Sequence, residues 1–197
     1  MKKLLMILFF LVFANTLKTF ANCPSWATNS NIYIFTVNGC KYTATVCWKC
    51  PINYGESWIT IDYPVPVDPY CIPDPLINLA GIKRAILDQL SDPAWLYQLC
   101  TGYPFPECPS NSYTYKIKDY NCTYMYMNFD KKITYHTCNF NGWCEQTLYI
   151  CWDIYGPHKY IVSDWSHQGD SSCPTVMPGV PQNPGEMSTC WQWILCS

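Results

Sequence analysis

The chain has 197 residues, 14 of them Cys, with 17% aromatic and only 13% charged positions. A formal charge of −2 without a basic stripe excludes an ordinary nucleic-acid binder, because phosphate neutralisation needs clustered Lys or Arg. A hydrophobic share of 49% excludes disorder, which combines low hydrophobicity with high charge.

The chain starts Met1-Lys2-Lys3, followed by an almost purely apolar run from Leu4 to Ala14 and a short polar stretch ending at Thr19-Phe20-Ala21. A basic start, a short apolar run and a small residue at the end read as a signal peptide over 1–21, cut after Ala21. The run is shorter than the roughly 20 residues of a membrane span, and no later run is longer. The expectation is export without a transmembrane span, to a secreted, periplasmic or cell-surface location. Removing 1–21 takes away Lys2, Lys3 and Lys18 and leaves nine basic against fourteen acidic residues, a net of −5. A competing reading makes Cys23 a lipidated N-terminus. Asn22 is an unusual residue before such a cut, and lipidation would leave an odd 13 cysteines.

An even, dense set of cysteines in an exported chain reads as a disulfide framework. Cys47-Trp48-Lys49-Cys50 has C-x-x-C spacing, but no βαβ pattern surrounds it, as a redox pair requires. Zinc would need a second close pair, and the sequence has none.

The chain resembles itself. Cys23-Pro24-Ser25 recurs as Cys108-Pro109-Ser110. The stretch from Asn38-Gly39-Cys40 to Cys47-Trp48 recurs from Asn141-Gly142 to Cys151-Trp152, with Trp143 inserted ahead of Cys144. Tyr54-Gly55 with Asp62 matches Tyr155-Gly156 with Asp164. Cys71 matches Cys173, and Trp95 to Cys100 matches Trp191 to Cys196. Two duplicated units follow: 22–100, a linker over 101–107, and 108–197. The first holds Cys23, Cys40, Cys47, Cys50, Cys71 and Cys100. The second holds Cys108, Cys122, Cys138, Cys144, Cys151, Cys173, Cys190 and Cys196. Both counts are even, so each unit can close its own bridges, in 15 or 105 ways respectively. Cys122 and Cys138 lie in material found only in the second unit, which suggests that they pair. Cys50 and Cys190 lack counterparts and are expected to take whichever shared cysteine is left over.

The fold class expected is mainly β: disulfide-rich antiparallel meanders with one amphipathic helix in the first unit. Ile32–Val37, Cys40–Trp48 and Trp58–Tyr63 read as strands, the first two joined by Asn38-Gly39, a strong hairpin signal. Leu76, Leu79, Ile82, Ile86, Leu87 and Leu90 recur at helical spacing, with Lys83, Arg84 and Asp88 on the other side. With Asp74 as cap and Pro75 in the first turn, a helix is expected over 75–90, and a second short one after Asp92-Pro93. The second unit replaces the long helix with Pro174–Pro184. It adds a hairpin within 112–138. Its strands are Tyr113–Lys118, Thr123–Phe129, Lys132–Cys138, Cys144–Trp152 and Lys159–Ser163. Trp48 and Trp152 are expected to be core aromatics against bridges.

Tyr113, Tyr115, Tyr124, Tyr126 and Tyr135 come at period two, which places each strand's tyrosines on one face. Together they form the candidate ligand-binding surface, suited to a glycan or a protein. Met125, Met127 and Phe129 on the opposite faces look like core. Three histidines, His136, His158 and His167, carry no metal-ligand spacing. Asp164, Ser166, His167 and Asp170 crowd one loop, and no nucleophile-elbow motif surrounds a serine. Asp62 and Asp164, equivalent under the duplication, are the remaining carboxylate pair. No cofactor is expected. The reading that follows is a secreted, non-catalytic, disulfide-stabilised binding or structural protein. A secreted hydrolase is one alternative. The other is an inhibitor or toxin-like effector inserting the Pro174–Pro184 loop.

Overall fold

The computed structural model describes residues 23–51, 55–71, 78–100, 105–108, 112–138, 141–170, 173–193 and 196. Residues 1–21 and the cap Asp74-Pro75 lie outside them.

Alternating inward and outward side chains build a large sheet first. Strands β1 (Asn29–Val37), β2 (Cys40–Lys49) and β3 (Glu56–Ile61) form an antiparallel meander. The Asn38-Gly39 turn holds both residues at positive φ, +50° and +80°, as a two-residue hairpin demands. A short β4 (Val65–Pro66) lies beside β2. Strands β5 (Tyr113–Tyr120), β8 (Gly142–Asp153) and β9 (Gly156–Gly169) form a second meander of the same order. Where the first meander has its tight turn, the second has the hairpin of β6 (Cys122–Met127) and β7 (Ile133–Thr137). That hairpin and β10 (Trp191–Gln192) make a separate small sheet in the order β10-β6-β7.

The large sheet runs β1-β2-β3-β5-β8-β9, so the two segments share one sheet. Their junction, β3 beside β5, is parallel, a departure from the wholly antiparallel arrangement expected. A parallel pair needs a long crossover, and α1 (Asn78–Leu90) and α2 (Pro93–Leu99) supply it. Asp92 caps α2 by accepting from the Ala94 amide at 2.8 Å.

Both helices cover one face of this sheet. Ile82, Ile86, Leu87, Leu90, Leu96 and Leu99 pack on Phe35, Val46, Ile59, Tyr115, Ile117 and Leu148 in one buried cluster. Phe105 belongs to the same cluster, so this part of the expected linker is core. Trp48 is buried there and donates Nε1–H to the Leu99 carbonyl at 2.9 Å. Trp152, its sequence counterpart, is 47% exposed, because no described helix of the second segment covers that end of β8.

Lys83 and Arg84 correct the amphipathic picture. Neither faces away from the core: Lys83 is fully buried and bonds Asp119 at 2.9 Å, and Arg84 reaches the same carboxylate at 3.2 Å. The Lys83 ammonium also sits 4.5 Å from the Tyr63 ring, and Arg84 lies 3.7 Å from the ring of Trp165. A buried carboxylate on β5 thus draws in the charged side of the helix.

All 14 cysteines are bridged, within their own segments. The pairs are Cys23–Cys47, Cys40–Cys71 and Cys50–Cys100 in the first. In the second they are Cys108–Cys151, Cys122–Cys173, Cys138–Cys190 and Cys144–Cys196. Cys122 and Cys138 do not pair with each other. Each of them instead fastens one end of the 173–190 loop to the small sheet. Cys50 takes a shared cysteine as expected, whereas Cys190 takes the unshared Cys138. Only Cys23–Cys47 and Cys108–Cys151 correspond between segments, so a duplicated framework is not carried through the remaining bridges.

Candidate functional site

The five tyrosines do not form one face, because β5 and β6 belong to different sheets. Tyr113 and Tyr115 are buried in the main cluster, on the side that the helices cover. Burial pushes the Tyr115 phenol well above its ordinary value. Tyr135 is half-buried between the layers, 4.8 Å from Trp193, which in turn stacks on Tyr63 at 5.3 Å. Only Tyr124 and Tyr126 share a half-exposed face, with His136 between them at 5.3 Å and 6.2 Å. His136 bonds the Thr134 hydroxyl at 2.9 Å, and burial holds its pKa below the ordinary value. Behind it Met125 is core, as expected. Met127 is half-exposed and Phe129, in the β6–β7 turn, is 83% exposed, so neither is core.

The outer face of the large sheet carries a cluster that the tyrosine periodicity does not reveal. Lys118 points into a cage of Trp58 and Trp143, 4.1 and 4.2 Å from the ring centroids, with Trp26 5.7 Å away. Glu145 closes it at 4.0 Å. Lys116 bridges Glu56 at 2.9 Å and Glu145 at 3.7 Å. That hydrogen bond from Lys116 holds the Glu56 carboxyl below its usual range. Burial lowers the Lys118 ammonium and, next to Trp26, raises the Tyr120 phenol to about 12. Such a cage is a ready cation site, but here the chain's own lysine fills it, so it ties β3, β5 and β8 together.

The hydrolytic sets come apart in the structure. Asp164, Ser166 and His167 lie in strand β9, not in a loop. The register sets Ser166 opposite Glu145 on one face and His167 opposite Cys144 on the other, and a register shift interrupts the ladder between Ser163 and Ser166, around Asp164. Asp62 follows β3, three strand spacings from β9, or about 14 Å. That exceeds the reach of a glycosidase carboxylate pair, at most about 9.5 Å. His136, His158 and His167 stand on β7 and on opposite ends of β9.

Among the described residues, the tip of the β8–β9 hairpin exposes two adjacent large apolar side chains. Ile154 and Tyr155 form its turn and are 90% and 86% exposed, and Trp152 flanks them. Tyr149 and Tyr160 form an exposed cross-strand pair below it. The tip is held in place. Asp153 accepts from the Tyr155 amide at 2.7 Å and bonds His158 at 2.8 Å. The amide and the imidazole together hold the Asp153 carboxyl below its usual range. Gly156, at φ +113°, takes the one turn position that other residues avoid. Cys151, two residues before the turn, is bridged to Cys108. Strand periodicity marks both sides of this turn but not the turn itself. The available signal was two large apolar residues between Asp153 and Gly156, where turn chemistry favours polar ones.

The fold and its bridges define a small disulfide-stabilised β protein, which fits an oxidising extracellular setting. No described helix is long and apolar enough to cross a membrane. No protein-family model, curated protein or solved structure matches the chain.

Proposed function

We propose that this chain is an exported, non-catalytic recognition protein that contacts a protein partner through the β8–β9 hairpin tip. The carrying observation is the tip itself: Trp152, Ile154 and Tyr155 project from a turn fixed by a disulfide, the His158–Asp153 contact and a carboxylate cap. Large exposed aromatics on a rigid support supply binding energy at little ordering cost. The mixture of aliphatic and aromatic groups fits a protein surface better than a sugar ring, which stacks on aromatics and asks for polar partners beside them. Seven bridges keep the geometry outside the cell, where the thiols stay oxidised.

The test is a binding screen of the oxidised chain against extracellular proteins and glycans, followed by the double variant Ile154→Ser with Tyr155→Ser. A protein ligand whose affinity falls by about thirtyfold, the loss of a hot spot of roughly 2 kcal/mol, supports the reading. Ligands indifferent to the double variant, or glycans alone, overturn it. A second reading rests on the 173–190 loop. Bridges to β6 and to the end of β7 tie both its ends. It exposes Val176 and Val180, and Glu186 braces its turn by accepting from the Gln182 and Asn183 amides. A loop of that build suits insertion into a partner's cleft, and inhibition lost on changing Val176 and Val180 would favour it over the tip.

A further inference from the structure

Among the described residues, the large sheet ends in two strands, β1 and β9, each paired on one side. The ladders fix which backbone groups face outward. Asn38-Gly39 is a two-residue turn, so Val37 and Cys40 form a bonded pair, and every second residue back from Val37 faces β2. Thr36, Ile34 and Ile32 therefore direct their N–H and C=O groups away from the sheet. The Gln89 amide, which reaches the Thr36 carbonyl at 3.0 Å, agrees. On β8, Trp152 bonds Pro106 and Cys108 on the side away from β9. Trp152–Pro157 is then the unbonded pair, His158 and Tyr160 face β8, and Lys159 and Ile161 face outward.

Strand direction follows from the same pairings. Every neighbouring pair along the sheet is antiparallel except β3–β5. So β1 and β9 run the same way. We propose that copies of this chain join edge to edge, β9 of one copy pairing in parallel with β1 of the next. Inside the chain, β3 and β5 already make this junction: the last strand of one three-stranded meander lies parallel to the first strand of the other, over Glu56–Ile59 and Thr114–Ile117. A second copy at β9 continues that interface by one more repeat.

The side chains suit such a junction. Ile32 and Ile34 on β1 and Tyr160 on β9 share the face away from the helices, and each is more than half exposed. Pairing places aromatic against β-branched groups, a favourable cross-strand combination. Edges of this length are usually blunted by charge or by bulges. Register shifts interrupt β9 beyond Ile161, so its regular edge is the stretch from Gly156 to Ile161. Within that stretch the edge lysine, Lys159, turns its ammonium to the Ser91 hydroxyl at 3.1 Å. Because the contact joins two different edges, each added copy offers a new free β9. Growth is open-ended, and the twist of the sheet makes the assembly helical.

Ile34→Pro and Ile161→Pro each remove one outward N–H and leave the internal ladders intact. The oxidised chain is followed by sedimentation velocity over rising concentration. The wild type is expected to grow into a ladder of species. Each proline variant alone is expected to stay monomeric. An equimolar mixture of the two is expected to stop at a heterodimer, since one keeps only β9 competent and the other only β1. A monomeric wild type, variants that assemble like the wild type, or a mixture that stays monomeric would each overturn the proposal. If a proline variant loses the native bridge pattern, Ile34→Lys and Tyr160→Lys are read instead, with the same outcomes. Binding through the hairpin tip is a separate measurement and survives failure of this one.

Discussion

Asp119→Asn tests how the helices are fixed to the sheet. The Lys83–Asp119 pair is wholly buried, with its charged atoms 2.9 Å apart. At an effective dielectric of about 20, that separation corresponds to an attraction of about 6 kcal/mol. Desolvating two ions costs several kcal/mol each, so the intact pair contributes little net stability. Breaking it is another matter. Asparagine leaves the Lys83 ammonium buried with the Tyr120 carbonyl at 3.4 Å and the Tyr63 ring as its remaining contacts. The expected cost is about 3–5 kcal/mol. Lys83→Met is milder, about 1.5–3 kcal/mol, because Arg84 still holds the carboxylate at 3.2 Å. Replacing both, as Lys83→Met with Asp119→Leu, should cost less than Asp119→Asn alone. The assay is urea unfolding with bridges intact, read as unfolding free energy at constant slope. If Asp119→Asn falls within about 1 kcal/mol of wild type, or matches Lys83→Met, the reasoning about the buried charge is wrong.

Two further outcomes follow from the bridges and from a histidine. Peptide mapping without reduction should recover Cys122 linked to Cys173 and Cys138 to Cys190. Replacing Cys138 and Cys190 by Ser should lower stability by about 3 kcal/mol on loop-closure entropy, because the Cys144–Cys196 bridge already ties the chain close beyond both cysteines and leaves only a short loop to open. Recovery of a Cys122–Cys138 peptide would contradict the structure. His136 is held neutral by burial, so its folded pKa lies below the unfolded value. As pH falls through about 6.5, the unfolded state takes up the proton first and stability declines, levelling off below the folded pKa. A midpoint-against-pH curve should show this step in the wild type and lose it in His136→Gln; identical curves would refute the assignment.

Much of the local structure is legible in the residues. Alternation marks nearly every strand, and Asn38-Gly39 marks the β1–β2 turn, because period two and positive φ are properties of the chain itself. The even cysteine counts foretell closure within each segment. The pairing is a different matter, since loop entropy varies too little with length to choose among partners. Only the β6–β7 hairpin, swinging out of the large sheet into its own layer, brings Cys122 to Cys173 and Cys138 to Cys190. The candidate site divides the same way. The spacing of Tyr113, Tyr115, Tyr124 and Tyr126 sets which residues share a strand face. Whether that face meets helices or water depends on the sheet each strand joins. Lys83 shows the principle most clearly: its place on α1 reads as solvent-facing until Asp119, thirty-six residues on, arrives beneath it. Short-range chemistry is written in neighbouring residues, whereas exposure and charge compensation arise between segments distant along the chain, and only the tertiary structure decides them.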